Sequence, residues 1–138
     1  MSEVIDHIAI RVSDMKRSRA FYGAALAPLG FGELYEVGAD RNGGPGVAYG
    51  RAGADDFALH EPIDDPGRDT VTTGAHLAFR ADSAEAVAAF HAAAIANGGR
   101  SIGEPGPRPE YSAGYHGAFV LDPDGNNVEA VWHAPVPR

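Results

Sequence analysis

The chain has no cysteine. That excludes a disulfide framework, a thiolate metal site and a thiol nucleophile. No apolar run approaches the roughly 20 residues that a membrane-crossing helix requires. Basic residues are few: 11 Lys and Arg stand among 19 Asp and Glu, for a formal net charge of −8. Binding to a phosphate backbone rests on clustered basic side chains, so nucleic acid is excluded as an expected partner. The acidic balance serves solubility and carries no information about a substrate. The first residues, Met1-Ser2-Glu3-Val4, have neither a basic stretch nor an apolar one behind it, so the expected location is the cytoplasm, away from membranes. At 138 residues the chain fits one domain, 1–138, that can bury a core without staples.

What the sequence does contain is a repeat. Laying 6–31 over 75–100 aligns His7 with His76, Ala9 with Ala78 and Arg11 with Arg80, a spacing of 69 residues, half the chain. The match continues through Phe21 with Phe90 and Ala25 with Ala94, and ends with Gly30 on Gly99. Each copy opens with a strand. Ile8, Ile10 and Val12 alternate with His7, Ala9 and Arg11, and Leu77 and Phe79 alternate with His76, Ala78 and Arg80. A helix follows each strand. Ser13 or Asp14 can cap the first, and Asp82 with Glu85 has the capping-box form at the second. Phe21, Ala25 and Leu29, then Val87, Phe90 and Ala94, recur at helical spacing as buried faces.

Short strands complete each unit, with Val47–Gly50 and Phe57–His60 in the first. In the second, Gly117–Leu121 turns through Asp122-Pro123-Asp124-Gly125 into Asn127–His133. The fold class is therefore α+β: two strand–helix–strands modules, about 4–61 and 74–133, with a helix over one face of each sheet. Residues 62–73 read as the linker. The Pro- and Gly-rich stretch 100–115 reads as a long loop lying over a site.

If the helices cover one face of each sheet, the other face lines a pocket that His7 and His76 share. On the last strand Val128, Ala130 and Trp132 belong to the helix side, which leaves Glu129 with the two histidines. Two neutral imidazoles and one carboxylate suit a divalent ion with open positions for water or substrate. The competing reading has two hydrogen-bonded histidines, with Glu129 paired to Arg11 or Arg80. Tyr111, Tyr115 and His116, in or just after the long stretch, are the candidate proton donors and acceptors, with His116 expected to point into the cup beside Ala118. Arg11 and Arg80 can orient a carboxylate or enolate, and no other cluster of Lys and Arg is evident. Tyr49 is placed near the substrate from its neighbouring strand.

These stretches together resemble the vicinal oxygen chelate superfamily, which includes glyoxalase I, fosfomycin-resistance proteins, extradiol dioxygenases and bleomycin-binding proteins. The carriers are Ile5–Val12, Ser18–Tyr22, Ala75–Phe79 and Phe119–Glu129, and the resemblance spans the chain. It implies paired βαβββ modules forming a cupped mixed sheet with helices on its outer face, and a metal-dependent enzyme, a dioxygenase or a lyase/isomerase. Its small substrate would chelate Fe, Mn, Zn or Ni through adjacent oxygens, with His7, His76 and Glu129 as ligands. It also points to a homodimer with shared sites. The alternative within the same family is a metal-free binding protein of the bleomycin-resistance kind. At the remaining family ligand position the repeat spacing puts His60, whereas anchoring on the hairpin turn puts Ala58 there. The turn-anchored alignment is preferred, and it makes Ala58 part of the substrate pocket and His60 a substrate contact. With Glu129 the one glutamate on a ligand strand, a four-ligand glyoxalase I site is disfavoured.

Overall fold

The structure, a computed structural model, describes residues 4–137. Met1, Ser2 and Glu3, read above for a leader, lie outside the described residues. The first module runs β1 (Ile8–Arg11), α1 (Met15–Leu26), a 3-10 turn (Ala27–Leu29), β2 (Gly32–Val37), β3 (Gly46–Arg51) and β4 (Ala54–His60). The second runs β5 (His76–Arg80), α2 (Ala84–Ala96), β6 (Arg100–Pro107), β7 (Tyr115–Leu121) and β8 (Asn127–His133). Each module closes its own four-stranded sheet, ordered β1-β4-β3-β2 and β5-β8-β7-β6, so the repeat in sequence is a repeat in topology. In each, the first strand pairs parallel with the last and the other pairs are antiparallel.

The helical spacing places its residues as expected: Phe21, Ala25, Leu29, Val87, Phe90 and Ala94 are all buried. Asp14 caps α1 by accepting from the Arg17 amide at 3.1 Å. At α2 the cap is Ser83, which accepts from the Ala86 amide, and not Asp82, which pairs instead with Arg51 across the modules. One core joins both halves. The Tyr22 ring lies 5.1 Å from Phe57, Phe57 lies 5.3 Å from Phe79, and Phe79 lies 5.8 Å from Phe31.

A buried polar clamp adds to this. Tyr22 Oη donates to Asp122 Oδ2 at 2.6 Å, and Asn126 Nδ2 donates to the same oxygen at 3.0 Å. Asn126 also bonds the Thr72 carbonyl and the Ala75 amide. The second hairpin turn is thereby fixed to the first helix and to the linker.

Two stretches differ from the sequence reading. Residues 100–107 form an edge strand, β6, and only 108–114 remain as loop. An edge strand tolerates Pro105 and Pro107 because an edge leaves one row of amides unpaired, and two register shifts mark the accommodation. The turn between β3 and β4 is Ala52-Gly53, both at positive φ, and β4 begins at Ala54, three residues ahead of the expected Phe57. A register shift there, between Tyr49 and Arg51, and another between Glu33 and Tyr35 change which side chains reach the open face.

Candidate active site

The open face of the first sheet is a cavity of about 700 Å³, within the range of small-molecule sites. Its floor is a cross-strand row, Ala9 opposite Ala58, Ala58 opposite Ala48, and Ala48 opposite Tyr35. Residues directly opposite share a face. Three methyl groups in a row leave the space that larger side chains would fill. The equivalent row of the second sheet is Ala78, Glu129, Phe119 and Gly103. Ala58 therefore stands where Glu129 stands in the other module, as the turn-anchored alignment expects, and His60 lies one row further along, opposite Arg11.

At one end of this cavity are His7, Tyr35 and Asp55. His7 Nδ1 meets Asp6 Oδ1 at 2.6 Å, and that carboxylate raises the imidazole above its ordinary value. Asp55 accepts from the Tyr35 hydroxyl, which holds its carboxyl below the usual range. By strict alternation Asp55 would share the buried face of Phe57. The shift in register at the β3–β4 turn goes with its appearance in the cavity, while Asp56 lines a separate pocket. At the other end Arg11 donates to the carbonyls of Glu61 (2.6 Å) and Gly43 (2.9 Å), and His60 Nδ1 meets the Gly44 carbonyl at 2.9 Å. Arg41 and Arg68 join the lining from two loops, and the Arg41 charge reaches Tyr35 and Asp55. The sequence reading found no such cluster, since three guanidiniums so far apart in the chain have no local signature.

In the second module Glu129 is 3% exposed and has two side-chain partners. His76 Nε2 lies 2.8 Å from Oε1, and Tyr115 Oη donates to Oε2 at 2.6 Å. Partial burial and the neighbouring carboxylate push the Tyr115 phenol up to about 12, so it is a proton donor at neutral pH. Tyr111 packs edge-on to Tyr115 at 5.1 Å and is itself well exposed. Arg80 is exposed and lines the smaller pocket of about 260 Å³ with His76 and Ala78, without a hydrogen bond to Glu129.

Three expectations are corrected. His116 does not point into the cup. It pairs opposite Trp132, on the face of buried Ala118 and Val120, while Tyr115 and Phe119 take the open face. Tyr49 is no substrate contact: it pairs opposite Phe57 in the core and is fully buried, its ring leaving the cavity to Ala48. Finally, His7 and His76 do not share a pocket within one chain. His7 lines the larger cavity and His76 the smaller, and among the described residues no three His, Asp or Glu side chains lie together as a metal site. The physical reason is that each sheet hydrogen-bonds only within its own module, so no ladder brings β1 beside β8.

The profile of the Glyoxalase/Bleomycin resistance protein/Dioxygenase superfamily matches residues 4–130. Among solved structures, a glyoxalase/bleomycin resistance protein from Albidiferax ferrireducens T118 is 34% identical. It superposes with a TM-score of 0.73 over 92% of this chain and 96% of that one. A glyoxalase-related enzyme from Fulvimarina pelagi (22%, TM-score 0.64, covering 95% and 88%) shares the fold. So does glyoxalase I from Zea mays (24%, TM-score 0.66, covering 96% of this chain and 46% of that one). No curated protein sequence matches the chain.

Proposed function

Because the chain belongs to the glyoxalase/bleomycin resistance protein/dioxygenase superfamily, we propose that it is a metal-dependent enzyme acting on a small substrate with two adjacent oxygens. His7, His76 and Glu129 are its metal ligands. The observation that carries this reading is Glu129. A carboxylate 3% exposed is expensive to bury, yet its side-chain partners are a phenol and an imidazole, with no Lys or Arg bonded to it. That donor set fits a divalent cation, which would share the Glu129 oxygen and His76 nitrogen that now face each other. His7 completes the set from a second copy of the chain, since one chain keeps it in a different cavity; the working form is thus a homodimer with shared sites.

Bound there, a divalent ion would act as a Lewis acid on the chelating oxygens, or as an O₂ partner if it is iron. The chain's own residues do the rest. Tyr115 keeps its proton on Oη and holds one Glu129 oxygen, leaving the other directed at His76. Tyr111 and Phe119 wall the open face beside His76. Ala9, Ala48 and Ala58 give room for the body of the substrate. Without a carboxylate at 58 there is one glutamate on a ligand strand, which favours a dioxygenase or lyase-type reaction over one that needs a second glutamate as base.

A second reading, a metal-free binder that uses the larger cavity alone, is favoured by one observation: His7 is separate from His76 within the chain. Metal analysis of tag-free protein, with its native mass, tests both readings. The expected result is a dimer carrying near-stoichiometric Fe, Mn, Zn or Ni that is lost in both His7→Ala and Glu129→Ala. A monomer that takes up no metal after reconstitution overturns the enzyme reading in favour of the binder.

A further inference from the structure

In an acidic chain the larger cavity is basic. We propose that it selects small carboxylates, whose anionic group is held by Arg11 and Arg41. This takes the cavity as the substrate pocket of the function proposed above, and does not need the metal. The cavity is lined by three guanidiniums, Arg11, Arg41 and Arg68, against one carboxylate, Asp55, although the chain as a whole carries net charge −8. The three come from β1, from loop 38–45 and from linker 61–75, so their convergence is a product of the fold.

Their states differ. Arg68 is neutralised by Asp65, which accepts from its Nε and Nη2 at 2.8 and 2.5 Å, and its remaining bond goes to Asn42 at 3.4 Å. It therefore braces the loop. Arg11 is half-buried and gives its outer nitrogens only to the Glu61 and Gly43 carbonyls. Two carbonyl dipoles do not cancel a full charge, and three of its five N–H donors are left over. Arg41 makes no side-chain hydrogen bond among the described residues. Arg11 has no carboxylate partner, and Arg41 bonds none although its charge reaches Asp55; both are joined to loop 38–45 and form an electrostatic well for an oxyanion.

Asp55 fixes the direction. It lies on β4 at the end near His7, whereas Arg11 pairs with His60 at the far end of that strand. An anion is repelled by Asp55 and drawn towards Arg11 at the other end. The alanine floor between them suits an apolar body. His7 and Arg11 are four residues apart on an extended segment, about 13 Å along the backbone. The fitting ligand has its adjacent oxygens at one end and a carboxylate at the other.

The test uses two probes of the same shape, one anionic and one neutral: 3,4-dihydroxybenzoate and 3,4-dihydroxybenzamide. They are titrated by NMR into full-length protein in excess chelator. Expected is binding of the acid about tenfold tighter than the amide, with amide shifts at 41–44, 58–60 and 70–72. Higher salt weakens the acid. In Arg41→Gln the preference falls towards unity with an unchanged melting temperature, since that side chain braces nothing. Arg11→Gln gives the same result if its loop holds. Equal affinity for acid and amide, a preference that survives Arg41→Gln, or failure of the acid to shift these amides overturns the proposal. Because chelator is present throughout, failure here leaves the metal reading standing, and a metal-free result in the earlier analysis leaves this one standing.

Discussion

Replacing Glu129 by glutamine separates what the carboxylate does to the fold from what it offers a cation. Burying an ion of this kind costs several kcal/mol. The two charge-assisted bonds, 2.6 Å to Tyr115 and 2.8 Å to His76, return about 1.5–3 kcal/mol each. Glutamine keeps the shape. Its oxygen accepts from Tyr115, and its amide donates to His76 Nε2 if that imidazole carries its proton on Nδ1. The weaker bonds and the smaller desolvation cost nearly cancel, so metal-free Glu129→Gln should lie within about 1 kcal/mol of wild type, or about 4 °C in melting temperature for a domain of this size. Metal response is the contrast. A ligand at a hundred times its Kd stabilises the wild type by about 2.7 kcal/mol, on the order of 10 °C, and the variant hardly at all. Glu129→Ala is the control. It strips Tyr115 and His76 of their acceptor and opens a void, at about 2–4 kcal/mol. The assay is thermal melting with chelator and with graded Zn or Mn. Equal metal-induced shifts in wild type and Glu129→Gln, or a metal-free loss above about 3 kcal/mol for Gln, would refute the reasoning.

Two further outcomes follow from the same geometry. Tyr22→Phe removes a buried bond to Asp122 and should cost about 1.5–3 kcal/mol by urea melting at neutral pH. Burial and the Asp122 charge raise the Tyr22 hydroxyl well above its ordinary value of 10.0. That contribution is complete below the unfolded value and is lost as pH climbs past about 10. Wild type should therefore lose more stability than Tyr22→Phe between pH 9 and 11, and parallel losses would contradict the assignment. His116→Ala should leave metal and ligand binding unchanged while lowering stability by about 1 kcal/mol through lost packing on Trp132, whose ring lies 6.0 Å away. A loss of metal in this variant would show that the histidine does face the site.

The parts of this fold legible in the sequence were those governed by one local period. Alternation along β1 and β5 separated His7 and His76 from the core residues Ile10 and Leu77. Helical spacing picked out Phe21 and Phe90, and an aspartate-rich hairpin turn fixed β8 and so the face of Glu129. Alternation failed where the ladder slips. Asp55 sits beside a register shift, and its arrival in the cavity cannot be counted from Phe57. Tyr49 and His116 were misplaced for a different reason: an aromatic or an imidazole in a short strand fits either face, and only the partners opposite, Phe57 and Trp132, decide. The guanidinium wall was invisible because Arg41 and Arg68 come from irregular segments, whose path is set by bonds such as Thr72 N to Arg11 O and not by any repeat. The separation of His7 from the Glu129 pair is a property of two sheets, and no single strand carries it.

The clamp around Asp122 gives the duplication a direction. Tyr22 stands in the first helix where His91 stands in the second, and His91 turns instead to Ser101 at 2.8 Å. The Asp-Pro-Asp-Gly-Asn turn that receives Tyr22 occurs only in the second half, and the β3–β4 turn of the first half has nothing equivalent to offer. The two halves are thus plug and socket and not interchangeable tiles: neither could dock onto a copy of itself through this clamp. Such a chain can carry Ala58 in one half and Glu129 at the equivalent place in the other, because the grip between the halves does not depend on the open faces where those residues stand.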